Sequence, residues 1–282
     1  KVVQLSNQNA RLAGLLTFTP HPRVFFSGEK NFSQINDEVT KQDILSRQDL
    51  DILFKIKFNQ HLSLMPPDVF FNHVLKNGIN VSHIIVGSDF KFGYKRSGNI
   101  EILKYLSKEN NIGFDVIEKQ ANSLSKTYSS SSIREYLLQG NIAEVNKMLG
   151  HYWYTMGVVI TGANKGNQIG YPTINIRLDG SIKFAHGIYA TNVYIDSKRY
   201  QGATYYGKRP TYEGTEEFLE TYIFDFNSNI YDHEVKIEFI DFVRYDQTYE
   251  SDNKLKNQMK IDCENVLIKL QYYDKKFSLL DK

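Results

Sequence analysis

Short apolar runs alternate with helical patterns through the first half of the chain. The run from His83 to Phe90 is rich in β-branched residues and breaks at Gly87, as buried parallel strands do. A serine cluster over 129–132 is predicted to cap a helix. The predicted elements are strands over 12–19, 83–90 and 113–119, and helices over 67–75, 100–106 and 129–138. Such alternation predicts βαβ units and an open parallel sheet, an α/β architecture.

The pattern changes near residue 150. From Tyr152 onward, apolar and polar positions alternate with period two between turns rich in Gly, Asn and Asp. Closely spaced strands without intervening helices predict an antiparallel barrel. The chain ends on an amphipathic helix with Ser251 as its predicted N-cap, and the apolar stripe of that helix is Leu255, Met259, Cys263, Val266, Leu267 and Leu270. We therefore predict two domains, 1–150 and 151–282.

Composition narrows the class of protein. The length of 282 residues is typical of about two domains. A net charge of +2 with both signs interspersed gives no argument for binding nucleic acid or a membrane surface. The one cysteine, Cys263, cannot form an internal disulfide, which favours the cytoplasm, and its apolar setting predicts a buried thiol. No apolar run approaches the roughly 20 residues of a membrane span. Oligomeric state is not set by any of these features.

A glycine-rich segment runs from 157 to 175 with the sequence GVVITGANKGNQIGYPTIN. Its turn glycines are Gly162, Gly166 and Gly170. Glycines let backbone amides approach phosphate oxygens closely, although by themselves they are more typical of a hairpin loop. Thr173 and Asn175 present two neutral oxygens on the same side of an extended segment. Such a pair can hold Mg²⁺ and the phosphates bound to it, because Mg²⁺ prefers hard oxygen ligands.

The strand FLETYIFDF, over 218–226, carries Glu220 on a face shared with Phe218, Tyr222, Phe224 and Phe226. A carboxylate in an aromatic face is unfavourable unless it has a partner or a task, and general-base catalysis is one such task. A glutamate that reaches solvent at the rim of the barrel is an equally good interpretation. Glu216 and Glu217 are expected in the polar turn that precedes this strand.

Taken in series, these segments resemble the riboflavin kinase family in identity, order and spacing. The matching motifs are GYPTxN, GxYA, GxRPT, LExxIFDF, IY and VxFxxFxR, which together cover essentially all of 151–282. The resemblance implies a six-stranded Greek-key barrel with a C-terminal helix, in which Thr173 and Asn175 bind Mg²⁺-ATP. It also implies that Glu220 takes the proton from the terminal ribityl hydroxyl of riboflavin, and that Arg244 lies in the segment that closes over the flavin.

The chain departs from the usual riboflavin kinase pattern at four positions. Ile174 stands where Ala is usual, Asn167 for Arg, Tyr205 for Asn, and Asp246 for Glu. The side chains implied in the chemistry are all present. We therefore expect these departures to affect affinity more than the type of reaction.

The first half resembles the FMN adenylyltransferase family, which implies a Rossmann-like nucleotidylyltransferase domain. The matching segments are TFTPHP at 17–22, GSDFKFGYKRSG at 87–98 and SSSSIR at 129–134. A helix N-terminus with hydroxyls and an arginine is well suited to a triphosphate. The nucleotide- and flavin-binding residues that the resemblance implies are His21, Gly87, Asp89, Phe90, Phe92, Gly93, Ser130, Ser131 and Arg134.

One element of that family has no counterpart in the sequence. The family carries a GxFDGxHxGH segment after its first strand, and its histidines stabilise the nucleotide phosphates. The chain begins KVVQLSNQNARLAG, which resembles the helix just after that segment. Either the segment precedes the sequence or the domain lacks it, and the absence of an initial Met favours the first explanation.

Both resemblances together imply a bifunctional transferase of flavin cofactor biosynthesis. ATP and riboflavin give FMN, and ATP and FMN then give FAD with release of pyrophosphate. One alternative is a riboflavin kinase with a degenerate first domain. Another is a flavin- or nucleotide-binding regulator; retention of Glu220 argues against a pure binder, and the near-neutral charge argues against nucleic acid.

Overall fold

The computed structural model describes residues 1–28, 32–118, 128–161, 170–178, 180–211 and 214–278. The chain divides into two compact units, Lys1–Phe32 with Leu45–Tyr128, and Ser33–Ile44 with Ser129–Lys282. By contacts, 33–44 and 129–150 therefore belong with the barrel. Asn146 shows why, since its side-chain amide donates to the carbonyl of Phe239 at 2.9 Å. The division into domains at residue 150 stays a prediction.

The first unit is built on two pairs of parallel strands. Strand β1 (Gly14–Thr19) pairs with β2 (Ile52–Lys57), and β3 (His83–Gly87) pairs with β4 (Gly113–Ile117). The α/β class is confirmed, although the described strands form two separate sheets rather than one open sheet. A cavity of about 820 Å³ is lined by residues of β1, β2 and β3.

Short helices surround these strands. They are α1 (Val2–Gln8), α2 (Pro22–Ser27), α3 (Glu38–Ser46, which both units share), α4 (Gln60–Ser63), α5 (Pro67–Phe70, continued by a π-helical turn over Phe71–Ile79) and α6 (Ile100–Glu109). Phe71 and Leu103 are fully buried at the centre of this unit's apolar core. The helical spacing predicted over 67–75 and 100–106 is thus confirmed.

The second unit is a closed barrel of six antiparallel strands, as predicted. Its strands are β5 (Trp153–Ile160), β6 (Thr173–Arg177), β7 (Gly187–Ile195), β8 (Lys198–Thr211), β9 (Gly214–Ile223) and β10 (Glu234–Tyr245), in the spatial order β10-β5-β6-β9-β8-β7. Large side chains fill the interior, among them Trp153, Tyr189, Tyr206 and Phe239, each almost completely buried. The barrel is therefore a packed core, and ligands must bind on its outside.

The helices α7 (Ser130–Leu138), α8 (Ile142–Leu149) and α9 (Asp252–Ser278) accompany the barrel, together with most of α3. Both predicted caps are present, since the Ser129 hydroxyl accepts from the amide of Ser132 at 3.1 Å and the Ser251 hydroxyl accepts from the amide of Lys254 at 3.3 Å. From the predicted apolar stripe of α9, Val266 and Leu270 are buried against Ala190 on β7 and Ile240 on β10, whereas Cys263, which was predicted to be buried, is only half-buried. This helix therefore shields one part of the outer barrel face.

Candidate active site

Strand pairing brings polar residues from distant segments into one row on the outside of the barrel. Asn175 on β6 lies opposite Glu220 on β9, and Glu220 lies opposite Tyr205 on β8. Tyr205 lies opposite Ile188 on β7, which lies opposite Arg244 on β10. Residues that pair directly across strands project from the same face of a sheet. We call this row, from Asn175 to Arg244, the outer row.

The position of Glu220 on the outer face follows from the burial of its neighbours. Leu219 and Thr221 point into the barrel and are fully buried, whereas Glu220 is half-buried among the aromatic side chains of the outer face. The predicted alternation is therefore confirmed over 218–223. It was wrong beyond that point, because β9 ends at Ile223, residues 224–225 form a turn, and Phe226 packs against the core of the barrel. Glu220 does not stand free in solvent at the rim.

Glu220 is hydrogen-bonded to the threonine that the sequence singled out. The Thr173 hydroxyl donates to Oε1 of Glu220 at 2.6 Å. Asn175, two residues along β6, is 4% exposed and lies directly opposite Glu220. The fold thus brings together a hydroxyl, an amide and a carboxylate from segments 47 residues apart. Such a set can accept a proton from an alcohol and can present oxygen ligands to a hard cation.

A β-bulge places Arg244 in the outer row. Phe242 and Arg244 pair with successive residues of β7, so Val243 is the extra residue on the bulged strand. Without that extra residue, Arg244 would lie opposite Gly187 instead of Ile188. A slip of one residue exchanges the two faces of a strand, so the bulge is what turns this arginine toward the face of Glu220.

Arg244 is held on three sides. Its Nε and Nη2 donate to the two carboxylate oxygens of Asp262 on α9, at 2.7 and 2.6 Å. Its Nη1 donates to the carbonyl of Tyr245 at 2.9 Å. Its guanidinium lies 5.9 Å from the ring centre of Tyr249. Burial acts to lower the pKa of Arg244, but the hydrogen bonds and charge of Asp262 raise it above its usual value.

A second contact joins the middle of the outer row to the segment after β10. The Tyr205 hydroxyl donates to Oδ2 of Asp246 at 2.9 Å. Burial is the largest cause that raises the pKa of Tyr205, followed by the hydrogen bond to Asp246 and the charges of Asp246 and Glu220. Tyr205 therefore remains a protonated donor at neutral pH. Two of the four departures from the riboflavin kinase pattern are thus partners of each other.

One expectation about nearby carboxylates was wrong. Glu216 and Glu217 lie within β9 and not in a turn, because the strand begins at Gly214. Oε1 of Glu217 lies 3.4 Å from Nε2 of His186. Glu217 also raises the pKa of the buried Tyr206, for which desolvation is the largest cause. Because the first residues of this strand are polar, the sequence pattern did not indicate that they pair with β8.

The predicted phosphate-binding glycines are only partly described. Gly162 and Gly166 lie outside the described residues. Gly170 has a backbone φ of +89°, a conformation that glycine adopts without strain. The turn before Thr173 therefore requires glycine at this position.

In the first unit, several predicted residues line the cavity described above: Phe90, Phe92 and Gly93. The rings of Phe90 and Phe92 stack at 5.7 Å. Gly93 has a φ of +70°, and a Cβ there would lie 2.8 Å from the ring of Pro67, so only glycine fits. Gly87 ends β3, and Asp89 follows it in the connecting turn.

His21 takes a structural position at the start of a helix in the same unit. Its Nδ1 accepts from the amide of Arg23 at 3.1 Å and so caps α2. Its ring stacks on that of Phe32, with centroids 5.0 Å apart. This motif histidine therefore orders the chain after β1.

The remaining predicted residues lie at the N-terminus of α7 in the second unit. Ser130 and Ser131 are exposed in the first turn of the helix. Nε of Arg134 donates to the carbonyl of Ser33 at 2.6 Å. The motif thus presents exposed hydroxyls at the N-terminus of a helix, an arrangement that favours anions.

Sequence reasoning missed Asp262. It lies in a helix with many charges, where an acidic residue is usually a solvated one, yet it is 3% exposed. Its separation from Arg244 is 18 residues, and no spacing rule connects a strand position to a helix position at that distance. The sequence did offer one indication that Asp262 is buried: it lies one turn before Val266, on the apolar side of the predicted helix.

Comparison with known proteins matches both halves of the chain. A family model described as riboflavin kinase matches residues 149–270, and one described as FAD synthetase matches residues 1–132. The bifunctional riboflavin kinase/FMN adenylyltransferase of Haemophilus influenzae is 34% identical over 252 residues, which cover 89% of this chain and 81% of that protein. The protein of the same description from Buchnera aphidicola subsp. Schizaphis graminum is 31% identical over 266 residues, with 93% and 85% covered.

A solved structure has the same architecture. It is described as a macrolide-efflux protein from Streptococcus pneumoniae, is 28% identical and has a TM-score of 0.80, with 93% of this chain and 85% of that chain covered. Over the part of the chain that the structure describes, no helix combines the length and apolar character needed to span a membrane.

Proposed function

The chain belongs to the family of bifunctional riboflavin kinases/FMN adenylyltransferases, and we propose how its residues serve the two reactions. It phosphorylates riboflavin to FMN with ATP, and it adenylylates FMN to FAD with release of pyrophosphate. The observation that carries the kinase assignment is the outer row, in which Glu220 accepts a hydrogen bond from Thr173 beside the buried Asn175. Both family models match, which favours two activities over a kinase with a degenerate first domain.

In the kinase reaction, Glu220 is the general base. Its carboxylate accepts the proton of the terminal ribityl hydroxyl while that oxygen forms a bond to the γ-phosphorus of ATP and the bond to the ADP oxygen breaks. Thr173 orients the carboxylate, since its hydroxyl already donates to Oε1. Little covalent chemistry is asked of the protein, because phosphoryl transfer depends chiefly on positioning and on charge neutralisation.

We infer that Mg²⁺ accompanies ATP at this site. Thr173 and Asn175 would hold it through a hydroxyl and an amide oxygen, the hard donors that this ion prefers. When bound, it neutralises charge on the phosphates. Within the described ranges, no cluster of three or more His, Cys, Asp and Glu forms a dedicated metal cage. Mg²⁺ in such enzymes does not need a cage made only of protein ligands, because waters and substrate phosphates supply most of its ligands.

For the adenylyltransferase reaction, we propose that the cavity lined by Phe90, Phe92 and Gly93 takes part of the flavin or nucleotide. Its volume of about 820 Å³ lies within the usual range for small-molecule sites. Ser130, Ser131 and Arg134 would bind the phosphates of ATP at the N-terminus of α7. Arg134→Ala is then expected to lower FAD formation and leave FMN formation unchanged.

We also propose that the protein works in the cytoplasm. Its single cysteine, Cys263, is half-buried, and burial is the main cause that raises the pKa of its thiol to about 11. Such a thiol is unreactive and forms no disulfide within the chain. A reducing compartment suits a protein that uses its cysteine for packing.

Product analysis tests the proposal directly. The protein is incubated with riboflavin, ATP and Mg²⁺, and flavins are separated by chromatography. We expect FMN followed by FAD, and neither product after chelation of Mg²⁺. Accumulation of FMN without any FAD would support a kinase with a degenerate first domain. Tight flavin binding without any product would support the regulator.

A further inference from the structure

We propose that Asp262 is a positioning residue for riboflavin phosphorylation, because it fixes the guanidinium of Arg244 at the end of the outer row. The proposal rests on the kinase site above and on the resemblance to riboflavin kinases, which implies that Arg244 lies in the segment that closes over the flavin. Asp262 lies on α9 and contributes no atom to the row itself. Its effect on the reaction is therefore exerted through Arg244.

The geometry of the pair defines the plane of the guanidinium. Two parallel hydrogen bonds, Nε to Oδ1 at 2.7 Å and Nη2 to Oδ2 at 2.6 Å, join Arg244 to Asp262. The carboxylate is itself oriented by Gln258, whose side-chain amide donates to Oδ1 at 3.0 Å. A two-pronged contact of this kind fixes direction as well as distance, which a single ion pair does not.

The bonding of Arg244 leaves capacity for a ligand. A guanidinium has five N–H donors, and bonds to Asp262 and to the carbonyl of Tyr245 occupy three of them. Within the described part of the chain, the remaining two donors are available to a planar ring with carbonyl oxygens. The isoalloxazine of riboflavin is such a ring. Holding the guanidinium plane in advance reduces the ordering that binding would otherwise require.

Anchoring α9 does not by itself account for this ion pair. The helix is already held by Val266 and Leu270, which are buried against the barrel, and by a second ion pair from Lys269 to Asp241 on β10. A buried ion pair is often no more stabilising than apolar packing of the same size. The side chain of Asp262 is only 4% exposed, whereas that of Lys269 is 34% exposed. A role in orienting Arg244 explains why the buried pair lies at the end of the outer row.

The test compares two changes on the same helix. Asp262→Asn keeps the shape and one acceptor but loses the charge and the second strong bond. Lys269→Met removes the other ion pair between α9 and β10 at a distance from the outer row. For Asp262→Asn we expect the riboflavin KM of FMN formation to rise about tenfold, with kcat and the ATP KM within about twofold of wild type. For Lys269→Met we expect a similar fall in Tm and an unchanged riboflavin KM.

Two further variants keep the proposal testable if Asp262→Asn folds poorly. Gln258→Ala removes the hydrogen bond to Oδ1 but leaves both charges, and we expect it to raise the riboflavin KM about two- to threefold. Arg244→Lys keeps the charge but loses the two-pronged contact, and it should raise the riboflavin KM as much as Asp262→Asn. Combining Asp262→Asn with Arg244→Lys should raise the riboflavin KM no more than either change alone, because both changes remove the same two-pronged contact.

The outcomes separate this inference from the function on which it rests. A wild-type protein that makes no FMN would contradict the kinase assignment itself. An active wild type with Arg244→Lys unchanged would show that Arg244 does not contact the flavin. Equal effects of Asp262→Asn and Lys269→Met on the riboflavin KM would reduce Asp262 to a helix anchor and overturn the proposal.

Discussion

Replacing Glu220 with Gln isolates the proton-accepting step of riboflavin phosphorylation. Gln keeps the size of the side chain and an oxygen that can accept the hydrogen bond from Thr173, which is 2.6 Å long in the native protein. It cannot take a proton from the ribityl hydroxyl. General-base assistance is typically worth about 10²–10⁴ in rate, which corresponds to about 3–5 kcal/mol of activation free energy. We therefore expect kcat for FMN formation to fall by that factor.

The same change should have little effect on folding or binding. The hydrogen bond from Thr173 would become a neutral one, which lowers the free energy of unfolding by about 1 kcal/mol. For a unit of this size, that corresponds to a fall in Tm of about 2–4 °C. The riboflavin Kd should stay within about twofold of wild type, because the aromatic face around Glu220 is unchanged.

Fixed-time assays of FMN formation measure kcat, and titration of flavin fluorescence measures the riboflavin Kd separately. Glu217→Gln is the matched control: it lies on the same strand, but its carboxylate contacts His186 and not Thr173. It should change stability more than kcat. A Glu220→Gln protein within a few-fold of wild-type kcat, or a larger loss of kcat in Glu217→Gln, would show that the wrong carboxylate has been assigned.

Three further predictions follow from individual contacts. Thr173→Val should raise the Mg²⁺ concentration needed for half-maximal FMN formation about tenfold or more. Thr173→Ser should leave that concentration close to the wild-type value, since the hydroxyl is the group required. Tyr205→Phe removes the donor to Asp246 at 2.9 Å and should lower the free energy of unfolding by about 1 kcal/mol, measured by urea titration, with kcat within twofold of wild type. Cys263, whose thiol pKa burial raises to about 11, should react with iodoacetamide at pH 8 about a hundredfold more slowly than a free cysteine, and the difference should shrink as the pH approaches 11.

Much of the fold could be predicted because an element with one buried face carries apolar residues at regular intervals along the sequence. Alternation along 218–226 placed Glu220 on the face opposite to Leu219 and Thr221, which are fully buried. The same period identified the barrel, and the change of period near residue 150 marked its beginning. In the first half, runs that are apolar at consecutive positions indicated parallel strands, since such strands are covered on both faces.

The pairing partners could not be predicted in the same way. Whether Asn175 lies opposite Glu220 depends on the register of β6 against β9. The pattern of residues within either strand does not specify that register. The bulge at Val243 is a single inserted residue, and no letter of the sequence marks it. Glu217 was assigned to a turn because polar letters dominate there, although pairing with β8 extends the strand through it. In each case, a contact between distant segments decided the structure.

The bulge and the final helix together explain why the candidate site includes residues from both ends of the barrel sequence. A six-stranded barrel is filled by its own side chains, here Trp153 and Tyr189 among others, so the ligand site must lie outside. On that face, the Asn175 end of the outer row is fixed by the pairing of β6 with β9. The Arg244 end is fixed by Asp262 on α9, and only because the bulge turns the arginine outward. Changes at Asp262 should therefore act on riboflavin affinity, whereas changes at Thr173 and Asn175 should act on ATP and Mg²⁺.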